Sequence, residues 1–152
     1  MTQAVQMSKQ NYSERYDELA GRLYRLALYI LGDEYQAECV ITNTFVEGYC
    51  ALNNSRLTFE NTMLKRLVMA CECCRPVKGK QYIRFFEQNV KDAPSLLRAL
   101  AKYEVPERVA LLLVFVERCD INSVAEILDT DAARLQKSLS NLCFSLRGKL
   151  SA

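Results

Sequence analysis

The sequence predicts an all-α protein of two small helical domains joined by a linker, and three observations predict it. Apolar residues recur at the spacing of one helix face through most of the chain, with few strand-like alternations. Only five Gly and three Pro are spread over 152 residues, half of which are apolar, so the helical periods run long and there is enough material for a core. Third, a proline-bounded basic and aromatic stretch divides the periodic runs, and behind it the chain ends in two helices with a tight polar break.

Residues Met1 to Tyr12 are polar and are expected to be loose. From Tyr16 the first helix carries Leu19, Leu23, Leu26, Ala27 and Ile30 at helical spacing, and Gly32 supplies a left-handed stop. Asp33 caps a second helix, with Gln36 three residues on as in a capping box. Its apolar face is Ala37, Val40, Ile41, Thr44, Phe45, Tyr49 and Leu52, and Asn53-Asn54-Ser55 breaks it. The third helix is expected from near Thr58 through Met63, Leu64, Leu67, Val68 and Cys71 to about Arg75, where Pro76 ends it.

Pro76 to Pro94 is expected to be a linker with one short helix around Tyr82 to Val90. Its basic residues interleave with Tyr82, Phe85 and Phe86, which could track a nucleic-acid strand by charge and stacking or pin the linker onto a neighbouring domain. A short helix with Leu96, Leu97, Leu100 and Ala101 follows. Pro106 opens the next, at the position where its missing amide costs nothing. Val109 to Val116 is apolar nearly all round, as in a helix buried centrally in a small bundle.

The last stretch organises the functional reading. Apolar residues at Ile121, Val124, Ala125, Ile127 and Leu128 stop at Asp129-Thr130-Asp131 and resume at Leu135, Leu139, Leu142 and Leu146. Asp131 stands where an N-cap belongs, so the pattern is a helix-turn-helix. From Glu117 to Asp131 there are five acids against Arg118, whereas from Ala132 to Leu150 there are four bases and no acid. A second helix with a purely basic wet face suits a reader of DNA phosphates and base edges, and it equally suits a solvated face in a helix pair.

Charge alternates along the rest of the chain. Met1 to Leu64 has five bases and eight acids, Lys65 to Lys91 has seven bases and two acids, and Asp92 to Val116 balances at three each. Acidic surfaces for one partner and basic surfaces for another would give this pattern. There is no basic start followed by an apolar run, and Val109 to Val116 is too short to span a bilayer, so a cytoplasmic protein is expected. The seven cysteines are then expected as free thiols, with Cys71 and Cys74 on the stripe of Leu64 and Leu67 as core filler rather than zinc ligands. With no histidine, no glycine-rich phosphate loop and no recognisable carboxylate pair, neither an enzyme nor a cofactor is expected.

The motifs also carry a family resemblance. LYRLALYILGDEYQAECVITNTF, Leu23 to Phe45, resembles the first conserved block of extracytoplasmic-function sigma factors of the sigma-70 family, through its Leu-Gly-Asp turn, Ala37, Glu38, Thr44 and Phe45. The stretch from Val105-Pro106-Glu107-Arg108 through Val124-Ala125 to Leu146-Arg147 and Leu150 resembles the C-terminal domain of that family. The resemblance implies a sigma-2-like domain over residues 1–75, a linker over 76–94 and a sigma-4-like helix-turn-helix domain over 95–152. It implies core RNA polymerase as a partner of Glu38, Thr42, Asn43 and Phe45. It implies promoter double-stranded DNA as the partner of Lys65, Arg66, Arg75, Lys78 and Lys80, and of Arg134, Gln136, Lys137, Ser138 and Asn141 on the recognition helix. An anti-sigma factor is a further implied partner, and a membrane or a small-molecule substrate is not expected.

The chain departs from that family at positions that matter. Cys39 stands for an acid and Thr42 for a Gln on the polymerase-facing helix. Met63-Leu64 stand for Trp-Leu, and Ala70 and Cys74 for Asn and Asp, on the helix that opens promoter DNA. Ser138 and Asn141 stand where relatives are often basic. These departures leave two rivals: a sigma-like interaction protein that binds polymerase or a sigma or anti-sigma partner without melting DNA, and a stand-alone helix-turn-helix regulator.

Overall fold

The computed structural model describes residues 8–53, 56–89 and 95–151, with the side chains of residues 89, 95–97 and 145–151 outside that description. Asn54, Ser55, Val90 and Pro94, and the side chains of Leu96, Leu97 and Leu146, therefore fall outside it. The described residues are all-helical and contain no strand. The elements are α1 (Lys9–Leu31), α2 (Glu34–Leu52), α3 (Phe59–Glu72), α4 (Gly79–Asn89), α5 (Ser95–Leu100), α6 (Val105–Leu111, running into a π-helical turn over Leu112–Val116), α7 (Ile121–Ile127) and α8 (Ala132–Ser151).

Each start has a local cause. Ser8, Asp33, Thr58 and Asp120 place side-chain oxygens on free amides of α1, α2, α3 and α7. Helix α1 begins within the stretch expected to be loose, because Tyr12 extends the stripe of Tyr16 and Leu19 one turn back. It is buried and donates its hydroxyl to the Phe45 carbonyl at 2.7 Å. The capping-box expectation for Gln36 is corrected. Its amide donates to the Asp33 carboxylate and to the Arg75 carbonyl (3.0 and 2.7 Å), and its oxygen accepts from the Arg75 amide at 2.8 Å, so it ties the chain leaving α3 to the first turn of α2. Helix α3 stops at Glu72, short of Arg75: Cys73 and Cys74 tighten into i−3 bonds to Ala70 and Cys71, and Pro76 holds Arg75 out of the helical region.

Helices α1, α2 and α3 pack together, and α3 also packs against α6 and α7. The buried apolar side chains make one cluster from Tyr12 to Leu139, which includes Tyr82 and Phe86 of α4. Those two aromatics hold the linker helix against α1, where Phe86 and Tyr29 meet at 5.7 Å between ring centroids. The run expected to be buried all round is so through Leu113. The π turn then re-aims the chain, and Phe115 is 48% exposed.

The centre of the fold is the C-terminal end of α1, whose last four carbonyls would otherwise be orphans. Leu28 accepts from the Gly32 amide and Leu31 from the Val77 amide. Tyr29 accepts from the Tyr82 hydroxyl, and Ile30 from Nη1 of Arg108 at 2.8 Å. A backbone turn, the linker, α4 and α6 therefore each satisfy one group on the same helix end.

Gly32 is required twice there. Its φ is +66°, and a Cβ would stand 2.8 Å from a Tyr82 ring carbon. Gly32→Ala is expected to lower stability by about 2–3 kcal/mol, from left-handed strain plus the clash, measured as a shift in urea midpoint. The buried tyrosines give a pH dependence. Burial raises Tyr12 and Tyr82 above the ordinary 10.0 and pushes Tyr16 up to about 12. Above pH 10 the unfolded chain loses protons that the folded chain keeps. The stability these groups contribute is complete below that pH, and the melting temperature is expected to fall steadily as pH rises beyond it.

Candidate nucleic-acid interface

Helices α7 and α8 form the two-helix unit expected near the C-terminus. Helix α7 is capped by Asp120, whose carboxylate accepts from the Ser123 amide at 2.9 Å and from its hydroxyl at 3.1 Å. Those bonds, the backbone one first, hold the Asp120 carboxyl below its ordinary pKa. The helix ends with Asp129 in the left-handed region (φ 54°), the Thr130 amide closing on the Ala125 carbonyl at 2.9 Å. Asp131 then caps α8 by accepting from the Ala133 amide at 3.0 Å. Four residues, Leu128 to Asp131, thus turn the chain from one helix into the next.

Helix α8 is seated by Leu135 and Leu139, both buried, and packs on α5, α6 and α7. Opposite them, Arg134, Lys137, Ser138 and Asn141 are exposed along one stripe at i, i+3, i+4 and i+7, and Gln136 is exposed on its flank. Arg134 and Lys137 form no ion pair among the described residues. Both charges point outward from the first turns of a helix. Phe144, one turn beyond Asn141, is 84% exposed and extends this stripe. Its position off the Leu139–Leu142 stripe was the sequence signal for it. An exposed phenyl beside basic and amide groups adds apolar contact of the kind a thymine methyl accepts.

The second expected basic group is divided. Lys65 and Arg66 are half-buried in a cleft of about 590 Å³ between the α2–α3 hairpin and the α7–α8 turn, with Arg56 and Glu47 on their side and Glu126 and Asp129 on the other. Arg75, Lys78 and Lys80 are exposed beyond the far end of α3, outside this cleft. Lys78 is ion-paired with Glu104.

On α2, Glu38, Thr42 and Asn43 are exposed, and the Thr42 hydroxyl is turned back onto the Glu38 carbonyl at 3.1 Å. Phe45 serves two ends: its ring lies against Tyr12 and Tyr16 (5.3 and 4.9 Å between centroids), yet it remains 37% exposed. Tyr35 and Val46, not anticipated as contacts, are exposed on the same helix at 74% and 56%. With Cys39 and Thr42 they make an uncharged outward stripe.

All seven cysteines are free, and burial pushes the Cys71 thiol far up, as suits core filler. Among the described residues no His, Cys, Asp or Glu side chains converge as a metal site would require, and no helix is long and apolar enough to cross a membrane. No protein-family model matches the chain, and no curated protein matches it.

Proposed function

We propose that this chain is a sigma-factor-like transcription initiation protein, which binds core RNA polymerase through the outward side of α2 and brings it to promoter DNA through α8. The observation that carries the reading is the stripe of Arg134, Lys137, Ser138 and Asn141, outward-facing and free of acids, on the second helix of a capped helix-turn-helix. Such a stripe fits a major groove, with the two cations toward phosphates or guanine edges and the amide and hydroxyl toward bases. On α2, Glu38, Asn43, Tyr35 and Val46 supply a mixed polar and apolar face of the kind that docks on another protein. Two modest contacts on one large machine gain effective concentration, so neither need be tight alone.

One observation favours the rival in which the protein binds polymerase without opening DNA. Stacking on an outward aromatic is a common way for a protein to hold an unstacked base of an opened strand. The only aromatic of α3, Phe59, is packed at 5.9 Å against Tyr12 with Arg15 4.2 Å over its ring, and Met63 and Leu64 are buried. Reconstitution with core polymerase separates the readings. Retention on polymerase with transcripts from defined start sites is the expected result. Retention without transcripts supports the non-melting protein, and duplex binding by a dimer that ignores polymerase supports a stand-alone regulator.

A further inference from the structure

Resting on the DNA-binding reading above, we propose that the acidic end of α7 is an intramolecular shield over the Lys65–Arg66 face of α3, so that DNA reaches α8 freely but reaches α3 only by displacing the chain's own carboxylates. Helix α3 packs against α7, and the 590 Å³ cleft beside that contact sets Arg56, Lys65 and Arg66, with Glu47 of α2 as the one acid on their own side, opposite Glu126 and Asp129. A carboxylate there presents to the basic face the same charge that a phosphate would.

Further features of the cleft and its flanks set what holds the shield and what would have to move for it to release. No cation of the cleft comes within salt-bridge distance of Glu126 or Asp129 among the described residues, so the attraction acts across an open gap and is screened. Asp129 adopts φ 54°, a conformation that Gly or Asn takes at lower backbone cost, and so its carboxylate stands at a strained position on the rim of the cleft. The segment before α7 is anchored by Arg22, which pairs with Glu117 at 2.9 Å and with Glu60 of α3 at 3.4 Å. Directly after Glu117, Arg118 has φ 55°, a second left-handed residue in the connection that would have to turn for α7 to move off α3.

The test is binding of the full chain to a labelled duplex oligonucleotide, read by fluorescence anisotropy at low salt. Glu126 and Asp129 are exposed, and Asn is at ease in the left-handed region, so Glu126→Gln/Asp129→Asn should fold as the wild type does. That double variant is expected to bind about three- to tenfold more tightly. In a Lys65→Ala/Arg66→Ala background the same two changes are expected to give little or no gain, because the face they uncover is gone. An equal gain in both backgrounds would show general charge relief near α8 and overturn the shield, as would no gain in either. Lys137→Glu separates this from the underlying reading: if it abolishes wild-type binding while the double variant gains nothing, the reading stands and the shield falls. If no variant binds DNA, both fall.

Discussion

Replacing Arg108 with Ala is expected to destabilise the protein by about 3–5 kcal/mol and to lower its melting temperature by roughly 10 °C. Arg108 has no exposed surface, and no carboxylate forms a salt bridge with it among the described residues. Its guanidinium instead donates to three carbonyls, Leu100 at 2.9 Å, Ile30 at 2.8 Å and Ala101 at 3.3 Å, and lies 4.2 Å over the Tyr82 ring. The carbonyls belong to the ends of α1 and α5, where helix dipoles are negative, so the cation is compensated by two helix termini and an aromatic face. Burial lowers its pKa below the ordinary guanidinium value, and a guanidinium remains charged even so. Removing it leaves a void and three buried carbonyls without their donor. Arg108→Met separates the two effects in thermal melts. Recovery of most of the loss would assign it to packing, whereas a loss equal to that of Ala would assign it to the carbonyls.

The second large effect is on function. Arg134→Glu/Lys137→Glu is expected to weaken promoter-DNA binding by on the order of tenfold or more at low salt and to abolish directed transcription. Both side chains are exposed and form no ion pair among the described residues, so stability should change by no more than about 0.5 kcal/mol. Retention on core polymerase is expected to persist, because α2 carries that contact in the proposed arrangement. Gel shift, transcription and a thermal melt on one preparation check all three.

What the sequence made legible is what neighbours along the chain decide. Gly32, Asp33, Thr58 and Asp131 each announce a boundary through their own backbone or side-chain chemistry, and the structure uses them there, whereas Pro106 stands second in α6, one residue after the Val105 that opens it. The α8 stripe was legible for the same reason, since Leu135 and Leu139 fix which side faces inward. What escaped depends on residues far apart. Lys78 read as a DNA-facing cation, but Glu104, 26 residues on, is its partner. Lys65 and Arg66 read as an open basic face, and only the packing of α3 on α7 puts acids across from them.

Arg108 was half legible. With Val105, Val109 and Leu112 it completes an inward stripe at i, i+3, i+4 and i+7, but a charge in that place has no meaning until the end of α1, 78 residues away, is known to need a donor. The linker helix shows the same limit. Its aromatics were visible, but the carbonyl that Tyr82 satisfies on Tyr29 lies 53 residues back.

The most direct measurement is the salt dependence of duplex binding by the wild type and by Lys137→Ala, plotted as log affinity against log salt concentration. The expected result is a clear negative slope for the wild type, shallower by about one for the variant, as one phosphate contact is lost. Affinity that ignores salt, or identical slopes for the two proteins, would contradict the assignment of α8 as the DNA-facing helix.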